Sequence, residues 1–162
     1  MQTVLFWKPH EHPYGCLSNW SDHAIVVDGV RFRTVEHFLM FSKATLFKDG
    51  ETAQRIRATS HPAEAKRLGR LVRNFSEPVW TLSREHIMLK GLRAKTEQHP
   101  HVKQLLLSTQ EKYIAENSPM DAIWGIGKNG EGLNLLGKLW VRVREELLIV
   151  SLCTIDTTNT RE

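Results

Sequence analysis

Two stretches of this 162-residue chain carry residue types that can do chemistry together. In the first, residues 34–46 (TVEHFLMFSKATL), Glu36, Met40 and Lys43 stand at i, i+4 and i+7 and share one helical face over two turns. Phe38, Leu39, Met40, Phe41, Ala44 and Leu46 leave that helix apolar nearly all round, the pattern of a helix buried on most sides. A carboxylate and an ammonium about 10 Å apart along such a helix are costly to bury unless each has a partner or a task. The carboxyl suits general acid–base work, and an amine whose pKa is lowered by burial suits Schiff-base formation. A plainer reading is open for both. Glu36 lies in the first turn, where the helix dipole favours an acid, and Lys43 can snorkel to solvent. His37 reads first as a core or supporting histidine.

The second stretch, residues 121–134 (DAIWGIGKNGEGLN), runs straight into the last helix. Gly125, Gly127 and Gly130 spell GxGxxG, but the dinucleotide reading fails on context. That fingerprint needs a preceding strand and a second strand bearing an acid about 20 residues on, and here only one helix and a tail remain. The glycines still allow close backbone approach to a ligand, and N–H groups at a helix start favour an anion. Asp121 and Trp124 add an acid and a flat stacking surface; a glycine-rich surface turn is the alternative.

Other constellations are weaker. His10 with His12, and His99 with His101, are spaced HxH without further ligands, so no metal is expected, nor any cofactor. Cys16 and Cys153 form no CxxC pair and fit a reduced, cytoplasmic chain. No apolar run approaches the roughly 18 residues of a membrane span. Hydrophobic residues make up 41% and charged residues 25%, an ordinary globular balance for one domain. The net charge of +4 favours phosphate-bearing partners without demanding them. Much of it is local: Arg55, Arg57, Lys66, Arg67, Arg70 and Arg73 are opposed in their stretch by Glu64 alone.

The elements that must position these groups are mostly helical. Residues 3–8 (TVLFWK) read as a strand and residues 9–15 as a loop. Residues 24–27 and 30–33 flank Asp28-Gly29, a type I′ hairpin signal. Thr34 caps a helix over 35–46; further helices span 51–58, 62–71, 79–98 and 99–108, with Pro62, Pro78 and Pro100 at or near their mouths. A short strand over 112–116 and a closing helix over 133–150 follow. The expectation is an α+β, predominantly helical domain over 1–150, with a small sheet and hairpin on a helical core and a flexible tail over 151–162.

Taken in order, Tyr14-Gly-Cys-Leu-Ser-Asn19-Trp20, Thr34-Val-Glu36-His37-Phe, Lys43-Ala, Gly91-Leu-Arg-Ala-Lys95, Asp121-Ala-Ile-Trp124-Gly-Ile-Gly and Gly132-Leu-Asn134-Leu-Leu-Gly137 resemble the YbiA-like family of the NADAR superfamily. The resemblance spans residues 6–147. One departure is Met40, where the family helix often carries Gln, which puts one polar ligand contact in question.

The resemblance implies an N-glycosidase. Some relatives are similar to enzymes that hydrolyse phosphoribosylamino-pyrimidine intermediates of riboflavin synthesis, and others resemble hydrolases that free ADP-ribose from guanine in nucleic acid. Both break a bond from ribose C1′ to nitrogen through an oxocarbenium-like state, which a carboxylate stabilises while the departing base takes a proton. Carried over, the pattern makes Glu36 the acid or the stabilising carboxylate, Lys43 a candidate Schiff-base amine, and Asp121 an orienting group. Trp124 stacks on the base, and Asn19, Trp20, His37, Gly125, Gly127 and Asn134 help hold the substrate. The rivals are a module that binds ADP-ribose or a nucleotide without cleaving it, and a nucleic-acid binder using residues 55–73, where few aromatics are available for stacking.

Overall fold

The computed structural model describes residues 2–158. Strand β1 (Thr3–Phe6) lies parallel to β2 (Tyr113–Glu116), with Thr3 opposite Tyr113 and Phe6 opposite Glu116. The strands β3 (Ile25–Val27) and β4 (Val30–Phe32) form an antiparallel hairpin, with Ile25 opposite Phe32. Asp28 and Gly29 both take positive φ, 51° and 77°, as a type I′ turn requires. Around these pairs pack α1 (Val35–Leu46), α2 (Gly50–Ala58), α3 (Pro62–Gly69), α4 (Glu77–Gln98), α5 (Pro100–Ser108) and α6 (Leu135–Thr158). This is the expected α+β, mainly helical architecture. Among the described residues no helix is long and apolar enough to cross a membrane.

The central helix is α1, held between α2, α3 and α4, while α6 closes over β2 and α4. Its buried residues include Val35, Phe38, Leu39, Met40 and Ala44, which explains the nearly unbroken apolar pattern. The sequence expectation differs most at the C-terminus: α6 continues eight residues past 150, because no glycine or proline follows Gly137 to stop it. Residues 159–162 of the expected flexible tail lie outside the described residues.

Two buried side chains fasten the segment that precedes α1. Trp140 of α6 donates its indole N–H to the Leu17 carbonyl at 2.9 Å. Lys95 of α4 donates to the Ser18 carbonyl at 2.9 Å and to Ser21 Oγ at 2.6 Å. Full burial lowers the Lys95 pKa to about 7. The histidines serve nearby: His99 Nε2 meets the Ala24 carbonyl at 2.7 Å, and His101 Nε2 lies 2.6 Å from His23 Nε2. The loop before α1 is thereby clamped to α4, α5 and α6.

Candidate active site

Glu36 is placed by both ends of that clamp. The Thr34 side chain accepts from the His37 amide and caps α1, and the Asn19 carbonyl accepts the Glu36 amide at 3.1 Å. The Glu36 side chain lies in the interior, the residue only 4% exposed. Burial drives its pKa up to about 7; the Lys66 charge opposes this, the Asp121 charge reinforces it, and a hydrogen bond from Trp20 and the Arg70 charge lower it again. A carboxyl so tuned is near the optimum for acid–base catalysis at neutral pH.

Glu36 opens onto a cavity of about 170 Å³ lined also by Met40, Lys43, Lys66, Arg70, Trp80, Asp121 and Trp124. The i, i+4, i+7 face of α1 therefore lines one wall, as its spacing predicts. The opposite wall comes from α3, where Gly69 faces Met40. A Cβ at that position would overlap the Met40 Sδ and Cγ, so a larger residue there would push the Met40 side chain aside along this face. Lys43 points along this seam. Its Nζ donates to the Gly69 carbonyl at 2.9 Å and sits 4.4 Å and 5.5 Å from the ring centroids of Phe75 and Trp80. Partial burial lowers its pKa, partly offset by Glu77.

Residues 121–134 form the third wall as a tightly bonded loop. Asp121 Oδ1 accepts from the amides of Ile123 at 3.0 Å and Trp124 at 2.8 Å, and Oδ2 lies 3.5 Å from Lys66 Nζ. This turn presents Trp124 to the cavity. Gly125 is pressed against the Glu116 and Asp121 carbonyls, where a Cβ would come within 2.8 and 2.9 Å. Gly127 makes the turn with φ of 66°. The amides of Ile126, Gly127, Gly132, Asn134, Leu135 and Leu136 are bonded to carbonyls of the same loop or of Glu116. Most of the donors from which the sequence suggested an anion cradle are thus engaged within the protein.

The structure therefore brings together Glu36, Lys43, Asp121 and Trp124, while Trp20 is not among the residues lining the cavity. Gly125 and Gly127 shape the loop behind them. Asn134 is buried, its Oδ1 accepting from the Glu116 amide at 3.1 Å and its Nδ2 donating to Tyr113 Oη at 2.8 Å and the Ile114 carbonyl at 2.9 Å. It stitches the loop to β2. His37 Nδ1 pairs with Thr34 Oγ1 at 2.9 Å, and Asn19 Nδ2 reaches Met88 Sδ at 3.5 Å. Neither is among the residues lining the cavity. The Asn19 Oδ1 is buried with no hydrogen-bond partner among the described residues.

Two residues lining the cavity, Lys66 and Arg70, and one buried acid behind it, Glu116, escape the sequence reading. Glu116, at the end of β2, has a buried Oε2 with no hydrogen-bond partner among the described residues. Burial, followed by the Asp121 charge, drives its pKa up to about 8, with Glu36 reinforcing and Lys66 opposing. Its signal was hidden in a four-residue strand. Lys66 and Arg70 were visible only as members of a basic stretch, although their i, i+4 spacing already put them on one helix face. Because Arg70 lowers the Glu36 pKa, Arg70→Gln should move the Glu36-dependent limb of kcat/KM from near pH 7 to higher pH. A pH–rate series on both proteins checks this, and an unmoved limb would assign the titration to another group.

The NADAR domain family matches residues 5–148. An N-glycosidase of Nostoc punctiforme is 38% identical over 145 residues, covering 90% of this chain and 92% of the relative. The chloroplastic riboflavin biosynthesis protein PYRR of Zea mays is 34% identical over 157 residues, covering 90% of this chain and 25% of that protein. The NMR structure of Escherichia coli YbiA superposes with a TM-score of 0.82 at 37% identity, covering 94% of this chain and 89% of that one. A buried carboxyl, an amine and a second acid around one small cavity, on this fold and with this degree of identity, lead to one assignment: the chain belongs to the NADAR family, and its enzyme class is that of the N-glycosidases it resembles.

Proposed function

We propose that the protein acts in the cytoplasm and hydrolyses the bond between ribose C1′ and the amine nitrogen of a phosphoribosylamino-pyrimidine, with Glu36 as the carboxyl at C1′. The observation that carries this is the meeting of Glu36, Lys43 and Asp121 at one cavity of about 170 Å³. That volume is below the roughly 300–1,000 Å³ of a typical small-molecule pocket. It suits a sugar phosphate, with the flat base reaching out toward Trp124. The name of the maize relative, a riboflavin biosynthesis protein, supports the same class of substrate.

A second reading has a specific support. Arg55 and Arg57 are exposed on α2, beside α3, and give a basic approach suited to ADP-ribosylated guanine within nucleic acid. The experiment is to supply each substrate separately and compare kcat/KM by mass detection of the freed sugar. Ribose 5-phosphate released at least tenfold more efficiently than ADP-ribose supports the first reading, and the reverse order supports the second. Binding of either ligand without release of sugar would leave a non-catalytic binding module.

A further inference from the structure

Six cations lie between residues 55 and 73, and the structure separates them by occupation. Arg67 makes a two-pronged pair with Glu64, at 2.7 Å for each bond. Arg73 is bonded to Asp49 and Glu51, at 2.7 and 3.1 Å. Arg55 and Arg57 project from α2. Only Lys66 and Arg70 line the cavity that holds Glu36. They stand one turn apart on the same side of α3 and its C-terminal cap. Lys66 meets Asp121 at 3.5 Å, a long and partly solvated pair. Arg70 makes no hydrogen bond or ion pair through its side chain among the described residues.

The third cation lining the cavity is committed elsewhere. Lys43 is turned to the Gly69 carbonyl and the Phe75 and Trp80 rings. The loop amides from Ile126 to Leu136 that would otherwise meet an anion are largely bonded within the protein. A guanidinium matches the geometry of a phosphate monoester and an ammonium acts as a point charge beside it. We propose that Lys66 and Arg70 form the anion subsite of this cavity and take the phosphate esterified to ribose C5′. With the phosphate on α3 and the carboxyl of Glu36 on α1, the ribose ring bridges the two walls, which fixes the direction in which C1′ enters. Asp121 gives up part of its pairing with Lys66 when the phosphate binds.

This inference rests on the reading of the cavity as a ribosyl site, and it is tested by binding rather than turnover, so loss of one is distinguishable from loss of the other. Wild-type protein, Arg70→Ala and the double variant Lys66→Ala/Arg70→Ala are titrated calorimetrically with ribose, ribose 5-phosphate and ADP-ribose. Both positions are at least partly exposed, and retained circular dichroism confirms the fold of each variant. Wild type should bind ribose 5-phosphate at least tenfold more tightly than ribose. Arg70→Ala should reduce that ratio several-fold, and the double variant should bring it close to one. Whichever phosphorylated ligand binds wild type more tightly identifies the natural source of the phosphate, and its affinity should fall in parallel. A wild-type ratio near one, or a ratio unchanged in the double variant, overturns the proposal.

Discussion

Replacing Glu36 with Gln should lower turnover by roughly 10³–10⁴-fold while leaving the fold and ligand affinity within a few-fold of wild type. The amide keeps the volume and the hydrogen-bonding reach of the carboxyl, so the packing of α1 and the Asn19–Glu36 backbone bond are undisturbed. What it removes is the proton and the negative charge. Leaving a neutral group there is no burden on folding, because burial already drives the Glu36 carboxyl toward its neutral form, with a pKa about 7. For stability, the sign is therefore the reverse of a salt-bridged acid. A carboxyl whose pKa rises from 4.5 to about 7 on folding costs stability progressively as pH increases through that interval. Glu36→Gln should then be as stable as wild type at pH 4 and somewhat more stable at pH 8, as read by urea denaturation. Loss of activity together with gain of stability separates a catalytic carboxyl from a structural one.

The second large effect concerns Lys43. If its amine takes part covalently, borohydride added during turnover should leave a mass adduct on Lys43, and Lys43→Met should abolish both the adduct and most of the turnover. The balanced sequence begins with a proton delivered to the ring oxygen, which opens the ribosylamine to an iminium joining C1′ to the base. The Lys43 amine adds at C1′, the base departs as a free amine with one proton, and a Schiff base to lysine remains. Water adds to that Schiff base and releases the sugar aldehyde and the amine. Lys43 meets the requirements of such a step: partial burial lowers its pKa, and its contacts are a carbonyl and two aromatic rings. Among the described residues Lys43 makes no ion pair that would have to be broken to free it. Turnover without any adduct would instead have water attack C1′ directly, with Lys43 acting through its charge.

Much of the scaffold was legible because local signals were strong. The Asp28-Gly29 turn, the Thr34 cap and the proline-marked helix starts each have a local physical cause and were read close to their observed positions. The i, i+4, i+7 face of α1 was legible for the same reason. The partners across the cavity were not. Glu116 becomes an unusual acid only because β2 pairs with β1 and the 121–134 loop folds over it, a long-range arrangement with no periodic signature. Lys66 and Arg70 were hidden among similar cations, and it is the packing of α3 against α1 that brings these two to Glu36. Conversely, Asn134 had the polarity of a ligand-binding residue, yet its amide is consumed by Glu116, Tyr113 and Ile114. A polar residue after a glycine loop cannot be assigned to ligand or scaffold until its hydrogen bonds are counted.

The most direct measurement of the central claim is a mass-resolved product analysis of wild type and Glu36→Gln side by side, on the phosphoribosylamino-pyrimidine and on ADP-ribosylated guanine. Wild type should release free sugar and free amine in equal amounts from at least one of them, and Glu36→Gln should release neither at a comparable rate. Intact substrates with wild type, or equal release by the two proteins, would contradict the account of Glu36 as the carboxyl at which the C1′–N bond is broken.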